Sequence, residues 1–79
     1  MMVPLYAFLR GDTMGLVILV DDSQTVREVG EVLQQAAIMR VAPAPQVRIF
    51  AHGRLLDPDS TVAQVGLAPL DRVDAEPVR

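Results

Sequence analysis

The chain has no cysteine, no lysine and no tryptophan, and a single histidine, His52, in 79 residues. Without cysteine there are no disulfides, thiolate metal sites, iron–sulfur clusters or cysteine nucleophiles. One histidine excludes a multi-histidine metal site within one chain. All seven basic residues are arginine, so a Schiff-base or phosphate-loop lysine is excluded. Aromatic residues are scarce: Tyr6, Phe8 and Phe50. A net charge of −3 and a pI near 4.8 argue against nucleic acid, whose phosphates call for a basic face. No apolar run is long enough to cross a membrane. Met1 to Leu9 is apolar but short, lacks a basic leader and is interrupted by Arg10-Gly11-Asp12, so neither a signal peptide nor a membrane span is expected. The expected location is the cytoplasm.

Apolar side chains are plentiful, at 51% of the sequence. With glycine added, the share exceeds the ~45–50% usual for soluble domains. The length allows one domain, spanning residues 1–79. A domain of this size buries only somewhat over ~60% of its unfolded surface. The excess therefore implies either a very economical core or a partner that covers part of it.

Val3 to Arg10 and Thr13 to Val20 read as two strands joined by a tight turn at Gly11-Asp12. A two-residue turn pairs Arg10 with Thr13, Ala7 with Leu16, Leu5 with Ile18 and Val3 with Val20. Leu5, Ala7, Leu16, Ile18 and Val20 then share one face, and Tyr6, Phe8, Val17 and Leu19 share the other. Both faces are apolar, which does not suit a hairpin with one face in water. A one-residue slip swaps the faces and would put the second set in the core, but both faces stay apolar.

Thr25 and Glu28 form a capping-box pattern, with Ser23 as a rival cap and Asp21-Asp22 suited to a helix's positive end. Val26, Val29, Leu33, Ala36 and Ala37 follow at helical spacing, with Val32 beside them. Arg27, Glu28, Glu31, Gln34 and Gln35 make the polar face. Gly30 lies within the helix, where it permits close approach of another backbone at a cost of up to ~1 kcal/mol relative to Ala. The helix should end near Ile38 or Met39, before an extended connector set by Pro43 and Pro45. Val47–Ala51 reads as a third strand and Arg54–Asp57 as a short fourth. Ser60–Gly66 reads as a helical turn capped by Ser60 and closed by Gly66, and Asp71–Val78 as a last strand with Pro77 near an edge. Hairpin, helix, two short strands and a final strand compose an α+β chain. It has a mixed sheet of four to five strands with one long helix packed across it, the β-grasp arrangement.

No catalytic constellation stands out. Ser23 and Ser60 read as caps and lie in no nucleophile-elbow sequence. Asp57 and Asp59 flank Pro58 and shape a turn. Asp21-Asp22 lacks the later ligands and central glycine of a calcium loop. His52-Gly53 is a turn, and the five glycines never cluster to cradle a phosphate. No catalytic residue, cofactor site or metal ligand is assigned to this chain.

Two resemblances follow from specific residues. Thr25-Val26-Arg27-Glu28-Val29, Ile49-Phe50-Ala51-His52-Gly53, Leu56-Asp57 and Ser60-Thr61-Val62 resemble segments of ubiquitin. This implies the ubiquitin-like fold. A conjugated modifier ends in Gly-Gly, whereas this chain ends Glu76-Pro77-Val78-Arg79, so conjugation or sulfur-carrier function is not expected. More of the chain resembles the γ subunit of bacterial multicomponent diiron monooxygenases, of the toluene monooxygenase system protein B type. The matching segments are Val3-Pro4-Leu5-Tyr6-Ala7, Leu16–Asp21, Arg40-Val41-Ala42-Pro43, Thr61-Val62-Ala63, Gly66-Leu67-Ala68-Pro69 and Val73-Asp74.

That resemblance implies a non-catalytic structural subunit docked on a large α subunit that holds the diiron centre. It also implies a β subunit, paired αβγ units, an effector protein and an NADH-fed reductase and ferredoxin. Substrates of such systems are toluene, alkenes or isoprene. No nucleic-acid or membrane partner is implied. On this reading Tyr6, Phe8, Val17 and Leu19 contact the partner, and Arg40 is a polar anchor in the connector. The alternative is an independent ubiquitin-like adaptor protein in another complex.

Overall fold

The computed structural model describes residues 1–78; the expected domain end at Arg79 lies outside the described residues. Strands β1 (Met2–Leu9) and β2 (Gly15–Asp21) form the hairpin. Helix α1 (Val26–Ala36) follows, then β3 (Gln46–Ala51), β4 (Arg54–Leu55) and β5 (Arg72–Val78). The five strands lie in the order β2-β1-β5-β3-β4. β1 and β5 are parallel at the centre, and the other pairs are antiparallel. This is the expected β-grasp topology.

The hairpin register is the expected one, with Val3 opposite Val20, Leu5 opposite Ile18 and Ala7 opposite Leu16. The loop is wider than the expected two residues, because pairing stops at Phe8 and Gly15. The Asp12 N–H donates to the Leu9 carbonyl (2.9 Å), closing a β-turn whose third residue, Gly11, sits at φ +98°. The Asp12 carboxylate then accepts the Met14 N–H (3.2 Å) and holds Thr13 out of the ladder.

Helix α1 begins at the expected capping box. Glu28 N–H donates to Thr25 Oγ1 (3.2 Å), and Thr25 N–H donates to Glu28 Oε1 (3.0 Å). Two further free N–H groups of the first turn, those of Val26 and Arg27, donate to the carbonyls of Ser60 (2.8 Å) and Pro58 (3.1 Å). The helix start is thereby latched to the segment before β5. Val26, Val29, Gly30 and Leu33 are buried against the sheet. The helix ends at Ala36, earlier than expected, and Ala36 faces out while Ala37 is buried. Ala37 N–H bonds back to Leu33 (3.1 Å) and Gln34 (3.2 Å), and the next residues unwind into turns.

Gly30 does allow close packing, but its neighbour is a side chain and not the expected backbone. A Cβ there would run into Val47 of β3. Between Thr61 and Gly66 the chain makes turns only, and the cap is Thr61, not Ser60. Gln64 N–H donates to Thr61 Oγ1 (3.1 Å), and Thr61 N–H to Gln64 Oε1 (2.8 Å). Ser60 instead gives its carbonyl to the helix. Gly66, at φ +74°, closes the segment: Leu67 N–H reaches the Val62 carbonyl and Gly66 N–H the Ala63 carbonyl, both at 3.2 Å. The fourth strand is shorter than expected, at two residues.

The core lies between α1 and one sheet face. Leu5, Val20, Val29, Leu33, Ile49, Val62 and Val73 are each almost wholly buried. Each such side chain contributes roughly 1.5–3 kcal/mol of burial. Gly30→Ala should therefore drive Val47 from its place and destabilise the fold by about 1–3 kcal/mol. Urea denaturation would show this as a lower midpoint with an unchanged slope.

Candidate docking surface

The second sheet face carries no helix. Strand pairing aligns its side chains in rows. Pro4 lies beside Leu19, and Tyr6 lies between Val17 and Arg72. A longer row runs Gly15, Phe8, Asp74, Phe50, Leu55 across all five strands. Tyr6 is 45% exposed, Val17 64% and Leu19 57%. These three, with Phe8, are four of the residues the sequence pattern singled out, and they share one face. Leu55 at the far end is exposed as well.

Phe8 is only half-exposed, for two local reasons. The Tyr6 ring lies 4.8 Å from it, centroid to centroid and tilted by 37°. The Arg72 guanidinium stacks over it at 4.1 Å. Arg72 also donates to both carboxylate oxygens of Asp74 (3.2 and 3.0 Å), which holds the guanidinium pKa above its ordinary value. The aromatic pair lies over Gly15. A Cβ on Gly15 would come within 2.7 Å of both rings, so this glycine clears their position.

Arg40 stands apart from these four. Its guanidinium grips Asp12 of the hairpin loop through three hydrogen bonds of 2.9–3.1 Å. The Asp12 side chain is 1% exposed. The hydrogen bonds from Arg40, helped by the Met14 N–H, hold its carboxyl below the usual carboxylate range. Arg40 thus anchors the connector after α1 to the β1–β2 loop. Its chain-internal role was hidden in the sequence, where 28 residues separate it from Asp12.

Sequence reasoning also missed Phe50, Leu55 and Arg72 on this face. In β3, Phe50 alternates with the inward-facing Ile49 and Ala51. Only the strand order shows that it continues the row from Phe8. Gln34 was placed with the solvent-facing residues, yet its amide donates to and accepts from the Ala44 backbone (3.1 and 2.7 Å). Pro43 and Pro45 have no N–H, so Ala44 carries the one backbone donor of that tripeptide.

The remaining polar clusters serve local structure. Asp21 accepts from the backbone N–H and the hydroxyl of Ser23, which hold it at about 2. The Asp57 carboxylate accepts the Asp59 N–H, and Asp59 pairs with Arg27 at 2.6 Å. His52 sits in a turn at φ +54°, with Nε2 3.2 Å from Asp71. A groove of about 420 Å³ between α1 and β3 is lined by Val26, Glu31, Gln34, Val47 and Arg48, among others. It converges no set of reactive groups. Among the described residues no cluster of three or more His, Asp or Glu side chains is placed to hold a metal, and no helix is long and apolar enough to cross a membrane.

The Asp12 pKa is lowered on folding, from an ordinary value of 3.8. Its contribution to stability is complete above that value and is lost as pH falls through the lower folded one. Asp12→Asn should be less stable than wild type at neutral pH. The gap should narrow below about pH 4, which thermal melts across pH 2–7 would register.

Comparison with known proteins adds the following. The family profile described as Toluene-4-monooxygenase system protein B (TmoB) matches residues 2–76. A chain in the solved structure "Toluene 4 monooxygenase HD Complex with Inhibitor 4-Bromobenzoate" is similar at 26% identity and a TM-score of 0.89. The match covers 96% of this chain and 98% of that one. Ubiquitin of Caldiarchaeum subterraneum is similar in fold, at 22% identity and TM-score 0.73, over 99% of this chain and 95% of its own. The UBL domain of Plasmodium falciparum Dsk2 is similar in fold at 14% identity and TM-score 0.76, over 96% and 97%. No curated protein sequence gives a significant match.

Proposed function

Because this chain belongs to the Toluene-4-monooxygenase system protein B (TmoB) family, we propose that it is the non-catalytic γ subunit of a soluble multicomponent hydrocarbon monooxygenase hydroxylase. In this reading it docks on the α subunit that carries the diiron centre. A β subunit completes paired αβγ units in the cytoplasm, and an effector with NADH-fed electron-transfer components serves them. The substrate, an aromatic hydrocarbon or alkene, is bound and oxidised in the α subunit.

One observation carries the proposal. The helix-free sheet face presents Tyr6, Val17 and Leu19 to solvent, with Phe8 beside them on the β1–β2 hairpin. The apolar patch on the β1–β2 half of this face, bordered on its β5 side by Arg72, Asp74 and Glu76, has the make-up of a protein interface. The similarity to a chain of a toluene 4-monooxygenase complex supports a hydroxylase as the partner. Gly15 supports the same reading, because it shapes this face and not the core. Arg40 contributes indirectly, by fixing the loop from which β2 departs.

The test is co-expression with the large hydroxylase subunits, followed by size-exclusion chromatography. The wild-type chain should elute with them. Tyr6→Ala and Val17→Asp should each weaken that association at least about tenfold while leaving the circular dichroism spectrum unchanged. Elution of the wild-type chain alone, as a stable monomer, would overturn the proposal in favour of an independent ubiquitin-like adaptor.

A further inference from the structure

β2 forms one edge of the sheet, and its outer side has no partner among the described residues. In an antiparallel pair, alternate residues turn their N–H and C=O toward the neighbouring strand and away from it. Just beyond the pair, Asp22 N–H donates to the Met1 carbonyl (2.9 Å), so the even-numbered residues of β2 face β1. β1 agrees: Tyr6 N–H bonds to the Asp71 carbonyl (3.0 Å) and the Pro4 carbonyl accepts the Leu70 N–H (2.7 Å), both on the side away from β2. Gly15, Val17, Leu19 and Asp21 therefore direct their backbone groups outward. The Asp21 N–H is taken by Gln24 Oε1 (2.8 Å). Among the described residues the N–H and C=O groups of Val17 and Leu19 have no partner.

Exposed edges are ordinarily guarded by charge, proline, a bulge or a cover, because they template pairing with another strand. Gly15–Val20 has no charged residue, no proline and an uninterrupted register. The opposite edge is different. β4 there is two residues long and includes Arg54, and Pro45 directly precedes β3. One edge of this sheet is guarded and the other is left open.

We propose that an extended segment of the large hydroxylase subunit pairs with β2 and becomes a sixth strand of this sheet. The inference rests on the docking reading above and names its geometry. Val17 and Leu19 carry the open amides and also project their side chains onto the docking face, so one partner engages both. The chemistry of the edge describes the segment that fits. It is uncharged and apolar where it lies beside Val17 and Leu19. A second copy of this chain on the same edge would lengthen the sheet and leave both Tyr6–Phe8 faces bare.

Amide hydrogen exchange on the wild-type chain, alone and in the assembled hydroxylase, tests this directly. The Val17 and Leu19 amides should exchange freely in the isolated chain and slow by at least about tenfold in the complex. Leu19→Pro removes an outward N–H without breaking the β1–β2 ladder, and it should abolish assembly, whereas Leu19→Ala only weakens it. If Leu19→Pro fails to fold by circular dichroism, the exchange data on the wild-type chain decide alone. A complex in which both amides stay as open as in the isolated chain would overturn strand addition and leave face docking intact. Absence of any complex would overturn both readings. A dimer of the isolated chain with both amides protected would assign the edge to a second copy and overturn the proposal.

Discussion

A single helix of eleven residues must cover a sheet of five strands. Such a helix is roughly 16 Å long, and five strands span about 19 Å between the outermost axes. Laid across one face it can seal that face and no more. Burial of Val26, Val29 and Leu33 depends on how closely the helix approaches, and Gly30 sets that approach by making room for Val47. The latches at the helix start, from Ser60 and Pro58, and the clamp after its end, from Arg40 to Asp12, hold it in that position. The second face is then bare by geometry, whatever residues occupy it.

The residues on that second face are not those of a surface meant only for water. Tyr6, Phe8, Val17, Leu19, Phe50 and Leu55 cross the sheet in pairing rows. Local devices limit the exposure. Arg72 shields Phe8 with its guanidinium while its charge is held by Asp74, and Gly15 lets the two rings settle onto the sheet. These contacts fix the positions of the two rings against the sheet.

Much of this was legible along the chain because it is local or periodic. The capping box at Thr25 and Glu28 spans three residues. The hairpin register followed from a period of two, and the two apolar sets it defined are the inner and outer faces. Where local signals competed, the reading slipped. Asp12 was assigned to a two-residue turn, but its carboxylate binds Met14 N–H and Arg40 and widens the loop. Ala36 and Ala37 are equivalent by hydropathy, and only the end of the helix decides which is buried. Ser60 and Thr61 are both competent caps, and the demand of the helix N–H groups for the Ser60 carbonyl leaves the cap to Thr61.

By itself, then, the sequence determined the order of elements and the two-sided hairpin, because spacing and residue chemistry are properties of the chain. Its segments also pointed to the family. The tertiary structure alone decided which apolar set lies under the helix, that Phe50 and Leu55 continue the row of Phe8 beyond Asp74, and that Arg40 serves Asp12. It alone left the outer edge of β2 open. These follow from pairing and packing between residues far apart in the chain, and no local pattern encodes which distant strand will lie alongside.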